Sequence, residues 1–213
     1  GVSFGAHESQ SRLFENHVGR SREFWDLNFG ELHDTFPDQL AGIDAETFWR
    51  AVNRVQPGLV RVESDELTYD FHIMLRVEIE AALIDGSLAV SDLPEMWNTK
   101  MKEYLGLDVP HDRLGVLQDV HWSSGQVGTF CNYTIGNVMA GQLFHTATKE
   151  ESVQEGLAAA NYVPLREWMT EHVHRHGRRY LRDELLEKAT GERLEPSYYI
   201  EHLSSKYSEI YGI

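Results

Sequence analysis

Ser64-Asp-Glu-Leu-Thr-Tyr-Asp-Phe-His-Ile-Met-Leu-Arg-Val-Glu-Ile-Glu-Ala-Ala-Leu-Ile-Asp85 is apolar at Leu67, Phe71, Met74, Leu75, Val77, Ile79 and Leu83. That spacing is helical rather than alternating. So broad an apolar face requires a surface to bury it against. Ser64 is the candidate N-cap, and the spacing predicts a helix through Asp85. On the N-terminal side, Leu59-Val60-Arg61-Val62 suits a strand or extended segment. Before it, Asp44 reads as the N-cap of a helix ending near Pro57-Gly58, with Ile43 and Phe48 as a hydrophobic staple. Leu13, Phe14, Val18, Phe24, Trp25 and Leu27 put a helical pattern on residues 7–29, punctuated by Gly19 and Gly30.

On the C-terminal side, Ser91 opens a helix that should stop near Gly106, and residues 106–132 are irregular and glycine-rich. A helix resumes near Tyr133 and runs to about Thr146, and Thr148 with Glu151 makes a capping-box pattern for the next. Pro164 occupies a first helical position, and Gly177 ends that helix. Two further helices fit 178–190 and 197–210. There is no repeat, low-complexity tract or interior linker. The expected architecture is one mainly α unit over 1–213, with at most a small β element.

At 213 residues and 41% hydrophobic content, the chain can bury a sizeable core. No apolar run approaches the roughly 18 residues of a membrane span, and a net charge of −15 argues against nucleic-acid binding. The single cysteine, Cys131, excludes an internal disulfide and suits a reducing, cytoplasmic compartment. Residue 1 is Gly and a dense polar cluster begins at residue 7, so further sequence is expected upstream.

Three clusters carry chemistry. His7-Glu8-Ser9-Gln10-Ser11-Arg12 fits an ordinary polar helix start, and Glu8 can ligate a metal only if histidines come from elsewhere. Only His172 and His176 have the four-residue spacing of a zinc-binding helix, but Val173 stands where the general-base Glu belongs. A basic helix end explains those two histidines as well. In the second cluster, Arg61 can present a forked donor to a carboxylate. Asp65 can orient a ligand histidine. The competing reading is a set of N-terminal acids, with Arg76 and Glu80 as a surface i,i+4 pair. The third cluster, Gly115-Val-Leu-Gln118-Asp119-Val-His121-Trp122, places Asp119 and His121 on one face of an extended segment. His121, with Tyr133 just beyond, can donate to a developing oxyanion or a carboxylate.

Taken in order, these stretches resemble the carboxypeptidase Taq family of zinc metallocarboxypeptidases. The matching segments are His7-Glu8-Ser9-Gln10, Val60-Arg61-Val-Glu-Ser64-Asp65 and Gly115-x-x-Gln118-Asp119-x-His121-Trp122. The endings Ala189-Thr190-Gly191-Glu192 and Tyr207-Ser-Glu-Ile-Tyr-Gly-Ile213 are similar too. The resemblance implies the C-terminal part of a two-lobed, grooved helical fold similar to angiotensin-converting enzyme. It implies a broad-specificity carboxypeptidase acting on peptides with a free C-terminus. Glu8 matches a zinc ligand, with cobalt or another divalent metal as a substitute. Arg61, with His7 and Gln118, matches the substrate-binding positions. His121 and Tyr133 match the catalytic ones, and Asp65 and Asp119 stand behind them. A cytoplasmic homodimer is implied as well.

The chain departs from the family pattern in two respects. The His-Glu-x-x-His segment and an Asp-x-Arg motif, both upstream in the family, are not in these 213 residues. Gly128-Thr129-Phe130-Cys131-Asn132-Tyr133 stands where the family often has Gly-Tyr-Phe-Pro-Thr-Tyr. The chain alone is therefore expected to hold zinc poorly, to be inactive, and to need the missing N-terminal part as its partner. The alternatives are a truncated helical binding or assembly module without catalysis, and an endopeptidase of related fold.

Overall fold

The computed structural model describes residues 3–213. In chain order its α-helices are α1 (Phe4–Arg12), α2 (Arg22–Thr35), α3 (Ala45–Val52), α4 (Tyr69–Asp85), α5 (Leu93–Leu105), α6 (Cys131–Ala147), α7 (Glu151–Ala158), α8 (Val163–His172), α9 (Arg182–Thr190) and α10 (Ser197–Tyr211). The mainly α expectation holds. No strand is found among the described residues, and the segment expected as a strand or extended stretch is extended at Val60 and then enters a 3-10 turn at Arg61–Glu63. A lone β-branched run has no ladder to join, and the Arg61 main-chain N–H instead donates to Gln118 Oε1 at 2.9 Å. The chain divides into two compact units, the segment ending at Asn53 with Ile135–Ile213, and Arg54–Thr134.

In the first unit, α2 packs on α3 and α7, and α7 on α8. Leu13, Met139, Leu143, Leu165, Met169 and Leu186 are among the side chains that fill its core. Between α1 and α2 the backbone widens into a π-helical stretch, Leu13–Gly19, which buries Asn16 and His17 beside Leu13 and Val18. Asp44 caps α3 as expected, accepting the Thr47 N–H at 2.8 Å. That helix stops at Val52 rather than near Pro57 because Asn53 closes it. The Asn53 amide donates to the carbonyls of Trp49 at 2.9 Å and Arg20 at 3.0 Å. Thr148 does not cap α7. Its hydroxyl donates back to the Phe144 carbonyl at 2.9 Å and so finishes α6.

Gly30 and Gly136 are both helical glycines, and they should respond to alanine with opposite sign. Gly30 lies inside α2, which runs past it, and a Cβ there meets nothing within 4 Å. At Gly136 a Cβ falls 2.7 Å from Glu8 Cβ and 3.2 Å from its carbonyl carbon, so the contact between α6 and α1 requires glycine. Gly30→Ala should therefore stabilise by about 0.5–1 kcal/mol through helix propensity. Gly136→Ala should destabilise by about 1–3 kcal/mol through overpacking. Urea denaturation of both variants checks this, and equal signs would refute the packing argument.

In the second unit, α4 packs on α5. Leu75, Ile79, Trp97, Met101, Leu105 and Val116 form one core, and Tyr69, Ile73 and Phe130 form a smaller one. α4 begins at Tyr69, later than the Ser64 cap predicts, because Asp65 organises the approach. Its carboxylate accepts from the Thr68 N–H at 2.8 Å, the Thr68 hydroxyl at 2.7 Å and the Gln56 N–H at 3.0 Å. α5 starts with a proline in its first turn and ends at Gly106, whose φ of 71° is the left-handed cap that glycine adopts without strain. From Gly106 to Phe130 the chain is irregular apart from short 3-10 turns at Asp112–Leu114 and Trp122–Ser124.

Candidate functional site

The second unit gathers Arg61, Gln118, Asp119, His121 and Tyr133 around a buried charge network. Arg61 is 7% exposed. Its Nε and Nη2 donate to Asp119 Oδ1 at 3.0 and 2.9 Å, and its Nη1 donates to the Tyr69 hydroxyl at 3.0 Å. Arg76, fully buried, approaches the same carboxylate from α4. Its Nε donates to Asp119 Oδ2 at 2.6 Å, its Nη1 to the His72 carbonyl at 2.7 Å and its Nη2 to Gln118 Oε1 at 2.9 Å. Gln118 completes the clamp, donating to the carbonyls of Leu59 at 3.0 Å and Leu114 at 3.2 Å.

Two guanidinium groups thus share one carboxylate. Burial by itself would push the Asp119 carboxyl up, but Arg76 and Arg61 outweigh it and hold it below the usual carboxylate range. Burial likewise opposes the charge on Arg61, yet Asp119 overcomes it and the guanidinium pKa is raised. Arg76 is lowered to about 10 by burial, partly offset by Asp119, and stays charged at neutral pH. With His72 and His121 neutral, Arg61, Arg76 and Asp119 together carry one excess positive charge. Only three of the five Arg61 N–H groups are used by these bonds.

His121 is buried with its ring 4.3 Å from Phe130, and its Nε2 lies 2.9 Å from the Tyr133 hydroxyl. Its Nδ1 stands 3.8 Å from Asp119 Oδ1. Burial lowers its pKa, with Asp119 opposing. A proton on Nδ1, facing Asp119, makes Nε2 the acceptor for Tyr133. The other tautomer makes Tyr133 the acceptor and leaves the phenol proton to be given elsewhere.

The structure corrects the reading of Arg76 and Glu80 as a surface pair. Glu80 is 5% exposed, and its Oε1 accepts from Trp122 Nε1 at 2.8 Å and the Gly128 N–H at 3.2 Å. Both side chains serve the loop. Asp65, with its carboxylate committed to Thr68 and Gln56, does not join the Arg61 cluster. Tyr69, Arg76 and Glu80 were not foreseen as part of this network. The available signal was the spacing of His72, Arg76 and Glu80, three polar residues one turn apart in a helix otherwise rich in apolar side chains.

His7 and Glu8 lie on α1 in the first unit. His7 is exposed, and with Gln10 and His174 it lines a cavity of about 230 Å³. Glu8 is half-buried, and its Oε1 accepts from Arg12 Nε at 3.0 Å. Gln10 is oriented by its bond to Ser9 Oγ at 2.9 Å, which turns its carbonyl toward His174 Nε2 at 2.8 Å. His172 and His176 lie on different elements. His172 stacks on Trp168 and His176 packs against Tyr180.

The described residues thus form a mainly helical chain with a buried arginine–aspartate–arginine centre beside a His–Tyr pair. The chain belongs to the carboxypeptidase Taq (M32) metallopeptidase family, which matches residues 1–207. It is 41% identical over 212 residues to carboxypeptidase 1 of Bacillus subtilis, covering 99% of this chain and 42% of that protein. It is 41% identical to thermostable carboxypeptidase 1 of Thermus thermophilus, covering 99% of this chain and 41% of that one. A solved M32 carboxypeptidase from Deinococcus radiodurans R1 matches with a TM-score of 0.96 and 47% identity, over 100% of this chain and 43% of its own. The chain therefore spans about 42% of the length of the curated relatives it matches.

The family implies a divalent metal. Among the described residues, no group of three or more His, Cys, Asp or Glu side chains is placed to hold one. Glu8, one carboxylate bonded to Arg12, does not by itself fit a metal that needs three protein ligands. No helix of the described residues is long and apolar enough to cross a membrane.

Proposed function

We propose that this chain carries the substrate-carboxylate side of a metal-dependent carboxypeptidase that releases C-terminal residues from peptides. The observation that carries this reading is the excess positive charge of the Arg61–Asp119–Arg76 network, in which Arg61 has two N–H groups beyond those bonded to Asp119 and Tyr69. A peptide's terminal carboxylate matches it in charge and in fork geometry. Gln118 and Asp119 hold Arg61 in place. His121 and Tyr133 supply a donor pair for charge developing on the scissile carbonyl oxygen. His7 contributes a substrate contact, and Asp65 shapes the entry to α4. Glu8 offers one carboxylate to zinc, or to cobalt in its place. This reading requires two histidines beyond those the chain gathers around Glu8, so the 213 residues alone hold the ion poorly and are inactive. Both units belong to one catalytic domain, which works as a cytoplasmic homodimer. The single cysteine supports the compartment.

Titration calorimetry with a tripeptide and its C-terminal amide tests the reading. The free acid should bind this chain more tightly. Arg61→Ala should remove about 1.5–3 kcal/mol of that preference, and Arg61→Lys, which keeps the charge without the fork, should lose part of it. Equal binding of acid and amide by the wild-type chain would refute it and favour a non-catalytic module or an endopeptidase.

A further inference from the structure

The segment that carries His121 is held at two points by one face of α4. Arg76 holds the near side through Gln118 and Asp119. One turn further along, Glu80 holds the far side through Trp122 and Gly128. The stretch between these anchors is a tight turn, in which the Ser124 N–H donates to the Val120 carbonyl at 3.0 Å and the Gly125 N–H to the Trp122 carbonyl at 3.0 Å. The His121 carbonyl accepts from the Ser124 N–H at 3.1 Å and the Gln126 N–H at 2.9 Å. Gly125 and Gly128, with φ of 72° and 74°, let it reverse. It then enters α6, whose first turn brings the Tyr133 hydroxyl to His121 Nε2. Glu80 therefore grips the segment that joins the two members of the pair. The grip is made by a buried carboxylate on two N–H donors, and hydrogen bonds to a carboxylate are the stronger kind.

We propose that Glu80 is a positioning residue for the His121–Tyr133 pair, acting by closing the Trp122–Gly128 turn and touching no substrate itself. This rests on the reading of His121 and Tyr133 as site groups. Loss of the carboxylate should release the turn, swing His121 off Tyr133 and leave the α4–α5 core standing.

Nuclear magnetic resonance of the 213-residue chain tests this, following hydrogen exchange of the Gly128 amide and the ring signals of His121. In Glu80→Ala, Gly128 exchange should accelerate at least tenfold and the His121 ring signals should shift, with α5 amide protection unchanged. Glu80→Gln keeps an acceptor oxygen and should restore both signals. Trp122→Phe removes one of the two donors without touching Glu80, and should shift the His121 ring and partly speed Gly128 exchange. It also decides the matter if Glu80→Ala does not fold. The proposal is overturned if Glu80→Ala, or Trp122→Phe in its place, leaves the His121 ring as in the wild type. It is overturned equally if Glu80→Gln matches Glu80→Ala. Acid-versus-amide peptide binding is read separately. If the wild-type chain shows no preference, the carboxypeptidase reading fails while the ring and amide signals still decide the role of Glu80.

Discussion

Asp119→Ala should be the most damaging single change in the second unit, costing about 3–5 kcal/mol of stability. Its side chain is the only carboxylate to which both Arg61 and Arg76 donate among their hydrogen bonds in the described residues. Removing it leaves two guanidinium groups, 7% and 0% exposed, facing each other without the intervening charge. The loss combines unpaired buried cations with direct repulsion, and exceeds what either ion pair contributes on its own. Total domain stabilities run to only about 5–15 kcal/mol, so a large share of the reserve goes. Asp119→Asn keeps an acceptor oxygen but no charge and should fall between the two. Urea denaturation followed by tryptophan fluorescence reports on this unit through Trp97 and Trp122, which lie 6.1 Å apart ring to ring. A loss below about 1 kcal/mol for the alanine variant would show that the network is not structural.

The contrast between Asp119 and Asp65 shows what could be read from residue order. The helices were legible because their apolar spacing and terminators are local: Asp44 caps α3, and Gly106 ends α5, where each was expected. The π-helical stretch at Leu13–Gly19 was not legible, since nothing in its composition differs from an α-helical one. The Gln118–Asp119–His121 segment could be singled out by its unusual density of polar side chains. Its partners could not, because they arrive from more than 40 positions away along the chain (Arg76 at a separation of 43 residues from Asp119, Arg61 at 58). A charged residue on a helix looks like a surface residue until the fold shows which face it occupies. Arg76 and Glu80 satisfied the i,i+4 rule for an exposed pair, yet each is spent on a loop that only tertiary structure brings to it. Asp65 shows the same dependence on the fold from the other side. Its carboxylate accepts from Thr68 and Gln56 on the approach to α4, bonds that residue order alone does not suggest.

His72 gives the second large effect, and pH reveals it. Its side chain is fully buried and neither ring nitrogen makes a well-formed hydrogen bond. Burial, reinforced by Arg76 and Arg61 and opposed only weakly by the Gly58 main chain and Asp119, pushes its pKa from 6.5 down to about 4. Above pH 6.5 the imidazole is neutral in both folded and unfolded chains and contributes no pH dependence. Between about 6.5 and 4 the unfolded chain takes up a proton that the folded chain refuses, so stability falls as the solution is acidified. The slope approaches 1.4 kcal/mol per pH unit and the accumulated loss is about 3 kcal/mol. Asp119, whose carboxyl is held low, adds its own loss only at more acid pH. His121 and His174 are lowered by burial too and act in the same direction as His72. A difference measurement separates them, because His72→Phe fills the site with a ring that takes no proton. Unfolding free energies of wild type and His72→Phe, measured from pH 7.5 to 4, should diverge from a constant offset as the pH falls below 6.5. The variant should lose less stability on acidification by about 3 kcal/mol. A constant offset over the whole range would mean that His72 accepts its proton in the folded chain as readily as in water.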